Sequence, residues 1–366
     1  VNKKWVLCGC IALLGNGYAN DECVEKNIIE ESRPSEISAN SMIELMSASP
    51  MSANNWYLFV DALYWHASVG NYDWAVKMGI NDLDVNQTYS KDYKKDFKFS
   101  WGFRVGLGMN TGYNEWYSEL YYTRFYTANS LVLGTNNNSQ NTATLHNAAV
   151  QPNFFRGESK YKITFNMLDW ELGRSYFISP SLAISPYIGV KGGWISQTAN
   201  EKFNYLTNVL DIITFREAND FWGVGPLVGM KNCWDLGQWN EHHFALFGNC
   251  SGALMYGHFD EVYHVAAFVN GFPPTGFFST IQVHGLNHNL VLPMLRSVLG
   301  LEWHTGFNQN KAHFGLQVGY ELQYWFRQNQ FIGVLLNPPD PANSSVIRLS
   351  DDLALQGLTV DFRIDF

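Results

Sequence analysis

The chain is 366 residues long with a formal net charge of -9, an acidic balance that excludes a protein held to nucleic acid through phosphate contacts. Mean hydropathy is -0.17 and nowhere do about 18 apolar residues run together, which excludes a transmembrane helix. A soluble protein or a β-barrel remains, because the alternating pattern of a barrel averages its hydropathy away.

Residues 1–19 read as a secretory signal: Lys3 and Lys4 form the positive end, residues 5–14 an apolar core, and Gly17, Tyr18 and Ala19 a small-x-small cleavage site. Cys8 and Cys10 leave with that segment. Cys23, Cys233 and Cys250 then remain, without metal-ligand spacing, and are expected as buried or free thiols. Residues 20–55 set a run of carboxylates against only Lys26 and Arg33; they cannot bury much and read as an acidic periplasmic leader.

From Trp56 onward the period is two, and residues 56–366 read as one barrel. The first strand, 56–65, is aromatic at both ends, as expected where a strand crosses two membrane interfaces. In 96–109, Phe97, Phe99, Trp101, Phe103, Val105 and Leu107 share one face and Lys98, Gly102, Arg104, Gly106 and Gly108 the other. The second face is too polar and too small for a soluble core and suits a barrel interior. A turn at 110–114 leads to a strand at 115–127, and 128–158 is a long polar loop. Within 159–177, Tyr161, Ile163, Phe165 and Met167 set one phase and Trp170 and Leu172 the other, which predicts a bulge near Leu168. Further strands fall at 182–197, 219–232, 242–259, 290–304 and 312–327, separated by loops at 199–218, 260–285 and 328–351 and by tight turns.

The last nine residues alternate without a break: Leu358, Val360, Phe362, Ile364 and Phe366 against Thr359, Asp361, Arg363 and Asp365. A closing strand that ends on Phe366 reads as a signal for the barrel-assembly machinery. Short and long connections alternate throughout. The fold class is therefore an all-β, transmembrane, antiparallel up-and-down barrel of about ten strands, with twelve as the alternative if 72–80 adds a pair; long loops face outward and short turns face the periplasm.

The inward phase carries the candidate pore-lining residues Lys98, Arg104, Glu115, Glu119, Lys191, Arg296, Glu302, His313, Glu321 and Arg363, with Lys160, Lys162 and Lys231 read on the same side. This mixed, slightly basic lining predicts weak anion preference. Catalytic motifs are lacking in the sequence, and His304 and His313 beside Glu302 read as solvated histidines rather than a metal site. A hydrolase at the outer rim would need Glu217, Asp220, His258, Asp260, Glu261 and His264 to converge.

Six stretches together resemble the major outer membrane protein-like pore-forming family of Legionella and Chlamydia-related bacteria: ALYW at 62–65, FSWGFRVGL at 99–107, LDWELGR at 168–174, PYIGVKGGWISQ at 186–197, WGVGP at 222–226 and the terminal Phe366. The resemblance implies an exported outer-membrane pore of a Gram-negative bacterium for ions and small solutes. No cofactor and no nucleic acid are expected. Its partners would be outer-membrane lipid, the assembly machinery, passing solutes, other copies of the chain, and host or cell-surface ligands at the outer loops. Unlike the cysteine-rich chlamydial proteins the chain keeps only three mature cysteines, so a disulfide-linked coat does not follow. The alternative is a plugged barrel that displays its loops as an adhesin or coat protein, because ten to twelve strands enclose a narrow lumen at best.

Overall fold

A computed structural model describes residues 55–70, 73–81, 84–94, 96–111, 115–134, 140–143, 154–205, 211–239, 242–270, 276–283, 287–307, 312–335 and 345–365. The signal segment, nearly all of the leader and Phe366 lie outside the described residues. Fifteen strands follow in order: β1 (Asn55–Val69), β2 (Asp73–Asn81), β3 (Asp84–Lys94), β4 (Ser100–Asn110), β5 (Trp116–Gly134), β6 (Gln140–Ala143), β7 (Phe154–Arg174), β8 (Tyr176–Ser179), β9 (Leu182–Tyr205), β10 (Asp211–Trp239), β11 (His242–Asn270), β12 (Gly276–Val283), β13 (His288–Phe307), β14 (Ala312–Leu335) and β15 (Ser345–Asp365).

Ten of these close on themselves in antiparallel register, β1-β4-β5-β7-β9-β10-β11-β13-β14-β15 and back to β1. The closing strand does what its alternation predicts: Val360 sits opposite Ala62 of β1 and Val318 of β14, Asp361 opposite Asp61 and Gln317. The count is ten, not twelve. The hairpin of β2 and β3 pairs with β6 beyond the ring instead of widening it.

Across the membrane band large apolar side chains cover the outer face, while the buried charged side chains face inward. Leu301 is 60% exposed and Trp101 69%, while Glu321 is 1% exposed. In water that arrangement would waste the hydrophobic effect; in hydrocarbon it is what a spanning strand requires. Aromatic girdles bound the outer band. Tyr64 pairs with Trp101, and Trp194 with Trp222, on the side of the long connections; Trp56, Trp116, Trp234 and Trp239 mark the short-turn side.

Three sequence-based expectations change. The loops read at 199–218, 260–285 and 328–351 are largely paired strand: β9 and β10 stay in register from Tyr205 opposite Asp211 to Leu182 opposite Trp234. Pairing beyond the membrane satisfies backbone groups whatever the side-chain pattern, so polar stretches without alternation still form strand. No bulge interrupts β7 near Leu168: the strand pairs continuously with β5 from Arg156 to Arg174 and with β9 through the same stretch. Tyr161, Ile163, Phe165 and Met167 share the inward phase with Asp169 and Glu171, because the lumen is apolar at one level and charged at the next. Finally, Phe97 precedes the first ladder residue of β4 and turns inward, 2% exposed, which leaves Lys98 on the outside.

Candidate functional site in the barrel lumen

The inward phase of the short-turn half builds a charged network. Arg104 of β4 reaches Asp61 of β1 at 2.6 Å and Glu321 of β14 at 2.9 Å, and Arg296 of β13 holds the same Glu321 carboxylate at 2.7 Å. Thr359 and Gln323 also donate to Glu321. Across the lumen Lys231 of β10 bridges Glu119 at 2.6 Å and Glu171 at 3.0 Å. Tyrosine hydroxyls join the halves: Tyr57 donates to Glu119, and Tyr121 donates to Glu171 while accepting from Arg296. Lys191 pairs with Asp169 at 2.5 Å, and Arg363 pairs with Asp365 and lies over the Tyr57 ring. A buried charge must be paired to be tolerated, so these contacts explain how the membrane interior holds so many ions.

The network surrounds a chamber of about 210 Å³ whose walls include Asp61, Glu302, Asp361 and Arg363. Its floor is crowded. Gly106 and Gly108 do not leave space for water as their size suggests; a Cβ on either would strike the rings of Phe59 and Tyr57, which lie over them. One row of the chamber is rich in carboxylates: Arg104, Asp61, Asp361, Gln317 and Glu302 stand in lateral register on β4, β1, β15, β14 and β13.

Next along the axis an apolar layer fills the lumen. Trp65, Phe125, Phe165, Leu292, Met294 and Trp325 are each 1% exposed or less. Trp65 packs on Phe125 and Phe165 on Trp325, both at 5.7 Å between centroids, while Arg104 and Lys191 lie over Trp65 and Trp325 where the charged level meets the apolar one.

On the long-loop side the β14–β15 hairpin bends inward. Its register slips between Trp325 and Asn329, Arg327 adopts φ 55°, and residues 328–332 are all buried. Asp352 organises the bend by accepting from the Tyr324 hydroxyl and the Arg327 amide. Beyond the bend the Ile332 amide donates to Glu217 of β10 at 2.6 Å, Asn219 of β10 donates to the Gln328 carbonyl, and Phe331 meets Tyr161 of β7. From β15, Arg348 reaches Glu261 of β11 at 3.5 Å, with His288 of β13 at 3.3 Å from the same carboxylate. Burial among these groups pushes the Glu261 carboxyl up to about 7; Arg348 opposes the rise, and Glu217 and Asp260 add to it. Gln328 keeps both amide atoms buried without a hydrogen-bond partner.

The lumen therefore gathers Arg104, Glu119, Lys191, Arg296, Glu302, Glu321 and Arg363, with His313 buried in the wall near the short-turn end. Glu115 stands at the chamber mouth in the turn before β5, at φ 57°. Lys98 and Lys160 are exposed on the outside and Lys162 shares their outward phase, which corrects the inward reading; once these are removed, carboxylates outnumber cations along the described inner walls. Asp61, Asp169 and Glu171 complete the network and were not singled out from sequence. All three were legible from phase, Asp61 alternating with Val60 and Ala62 and the other two with Trp170 and Leu172; the assumed bulge at Leu168 misplaced Lys160 and Lys162 instead. The rim set does not converge: Glu217 and Glu261 are buried inside, whereas Asp220 and Asp260 are exposed on the outer face. His304 lies 3.1 Å from Glu302, and among the described residues no group of three or more His, Cys, Asp or Glu side chains is arranged to hold a metal. Cys233 is buried and Cys250 half-buried.

Over residues 48–366 the sequence matches the family described as Legionella pneumophila major outer membrane protein precursor. The chain belongs to that family. Among curated proteins none matches. Similar solved structures include the outer membrane protease OmpT from Escherichia coli, 7% identical, covering 85% of this chain and 96% of its own, with a TM-score of 0.38. The Pseudomonas putida toluene transporter TodX is 8% identical, with 91% and 94% covered and a TM-score of 0.25. The Ralstonia pickettii toluene transporter TbuX is 9% identical, with 87% and 92% covered and a TM-score of 0.26. These values carry no argument about activity. Family and barrel fold together fit an outer-membrane location.

Proposed function

We propose that this outer membrane protein is a narrow pore for ions and small solutes, with the long-loop half of its lumen closed in the conformation described. One observation carries the reading: a charged chamber of about 210 Å³ is kept deep in the membrane-spanning half. Ionisable groups at that depth are costly, and they mark ion and solute paths. A barrel with only a structural task gains more from an apolar filling than from paired ions. The second reading, a plugged barrel that displays its loops, is favoured by the continuous layer of Trp65, Phe125, Phe165 and Trp325.

Single-channel recording of refolded protein in planar bilayers separates the two. The pore reading expects discrete steps, and expects Phe165→Ala or Trp325→Ala to raise conductance or open time by thinning the apolar layer. Silence from wild type and both variants, in protein shown to be folded, supports display instead.

A further inference from the structure

On the outer wall, Arg124, Asn166, Trp194, Trp222 and His258 stand in lateral register on β5, β7, β9, β10 and β11. Trp194 and Trp222 are half exposed and belong to the girdle on the long-loop side. Above that row the outward phase turns from apolar to polar, acidic first at Asp220 and Asp260 and then basic. Four residues along β7 comes Lys162, and six along comes Lys160, which lies in one row with Ser130, Asn200, Arg216 and His264. The following row sets Glu158 beside Lys202. At about 3.3 Å per residue, Lys162 and Lys160 stand roughly 13 and 20 Å along the strand from the girdle, and strand tilt shortens both heights. Headgroups occupy that level. The side chains of Lys160, Lys202, Arg216 and His264, with Ser130 and Asn200, line a groove of about 460 Å³.

We propose that this groove docks the phosphorylated headgroup of an outer-leaflet lipid, whose acyl chains lie along the apolar wall below. Charge complementarity is the first argument. Of the two carboxylates that line the groove, Glu158 is held by Arg156 at 2.8 Å and Glu201 is buried in the inward phase, where Ser159 donates to it, so the exposed lysines and Arg216 set the sign of the groove. Asp220 and Asp260 lie in the row nearest the girdle, between the groove and the tryptophans. Continuity is the second argument: the groove opens onto the lipid-facing wall of the same strands, so a lipid fills headgroup and acyl subsites together, while a soluble anion would meet only exposed, screened charge. The inference rests on the barrel and its membrane boundary, and it stands or falls separately from conduction.

The test uses the full chain in phosphatidylcholine nanodiscs, titrated with diphosphorylated lipid A at low salt. Lipid A should bind saturably, and the triple variant Lys160→Gln, Lys202→Gln, Arg216→Gln should weaken it on the order of a hundredfold. Arg174→Gln, at the short-turn end of β7 and so at the opposite end of the strand from the groove, should leave it within about twofold. For wild type, lipid A stripped of its phosphates should bind far more weakly, and millimolar inorganic phosphate should not displace the lipid. Equal affinity of the dephosphorylated lipid, efficient displacement by inorganic phosphate, or unchanged binding in the triple variant would each overturn the assignment. The dephosphorylated arm needs only wild type, so a folding defect in the variant cannot shield the proposal.

Discussion

At the scale of single residues, the two faces of β14 make the sharpest prediction. Val318 and Leu322 are about 40% exposed on the lipid side, while Gln317 and Glu321 of the same strand line the chamber. Val318→Arg should cost about 2 to 4 kcal/mol in bilayer unfolding experiments, with Gln317→Arg clearly milder. Equal costs would mean that the faces are misassigned. Glu261 gives a pH-dependent counterpart. Its folded pKa, pushed up to about 7 by burial, lies above its unfolded value, so the folded protein binds more protons between roughly pH 4.5 and 7 and this residue's contribution to stability falls as pH rises through that window. Glu261→Gln should flatten that part of the stability-pH curve relative to wild type. Most of the lumen residues were legible from phase alone. Lys98 was not, because the alternation of 97–109 runs on into residues that precede the ladder, where nothing fixes which way a side chain points.

At the scale of elements, the bend in β14 matters most. Asp352 ties Tyr324 and the Arg327 amide at the bulge, and the hairpin beyond it sends Ile332 to Glu217 and Arg348 to Glu261 across the lumen. Buried amide atoms of Gln328 without partners make this inward position costly, since each such group forfeits its hydration. Asp352→Ala should therefore shift the hairpin outward and lengthen open times of the pore, read in single-channel records; an unchanged gating pattern in conducting channels would show that the hairpin does not control the path. Sequence pattern gave no warning of the bend, because residues 328–332 were read within a loop. The inward phase of β7 was likewise obscured: an apolar stretch facing a lumen looks like one facing lipid, and only the neighbouring strands distinguish them.

At the scale of the molecule, the balance of charge inside the barrel predicts selectivity. With Lys98, Lys160 and Lys162 on the outside, the row of Asp61, Asp361 and Glu302 has only Arg104 at its end, so a conducting barrel is expected to prefer cations rather than show the weak anion preference expected from sequence. Glu302→Gln with Asp361→Asn should move the reversal potential under a salt gradient toward anions while the barrel remains folded. The sequence by itself determined the barrel, the approximate number of strands and the lipid-facing band, because period-two alternation is a local property that hydrocarbon enforces along every spanning strand. Only the tertiary structure decided what fills the lumen. Whether an inward side chain meets water, an opposite charge or an aromatic ring depends on the register of strands far apart in the chain, and on a hairpin that bends back into the space they enclose.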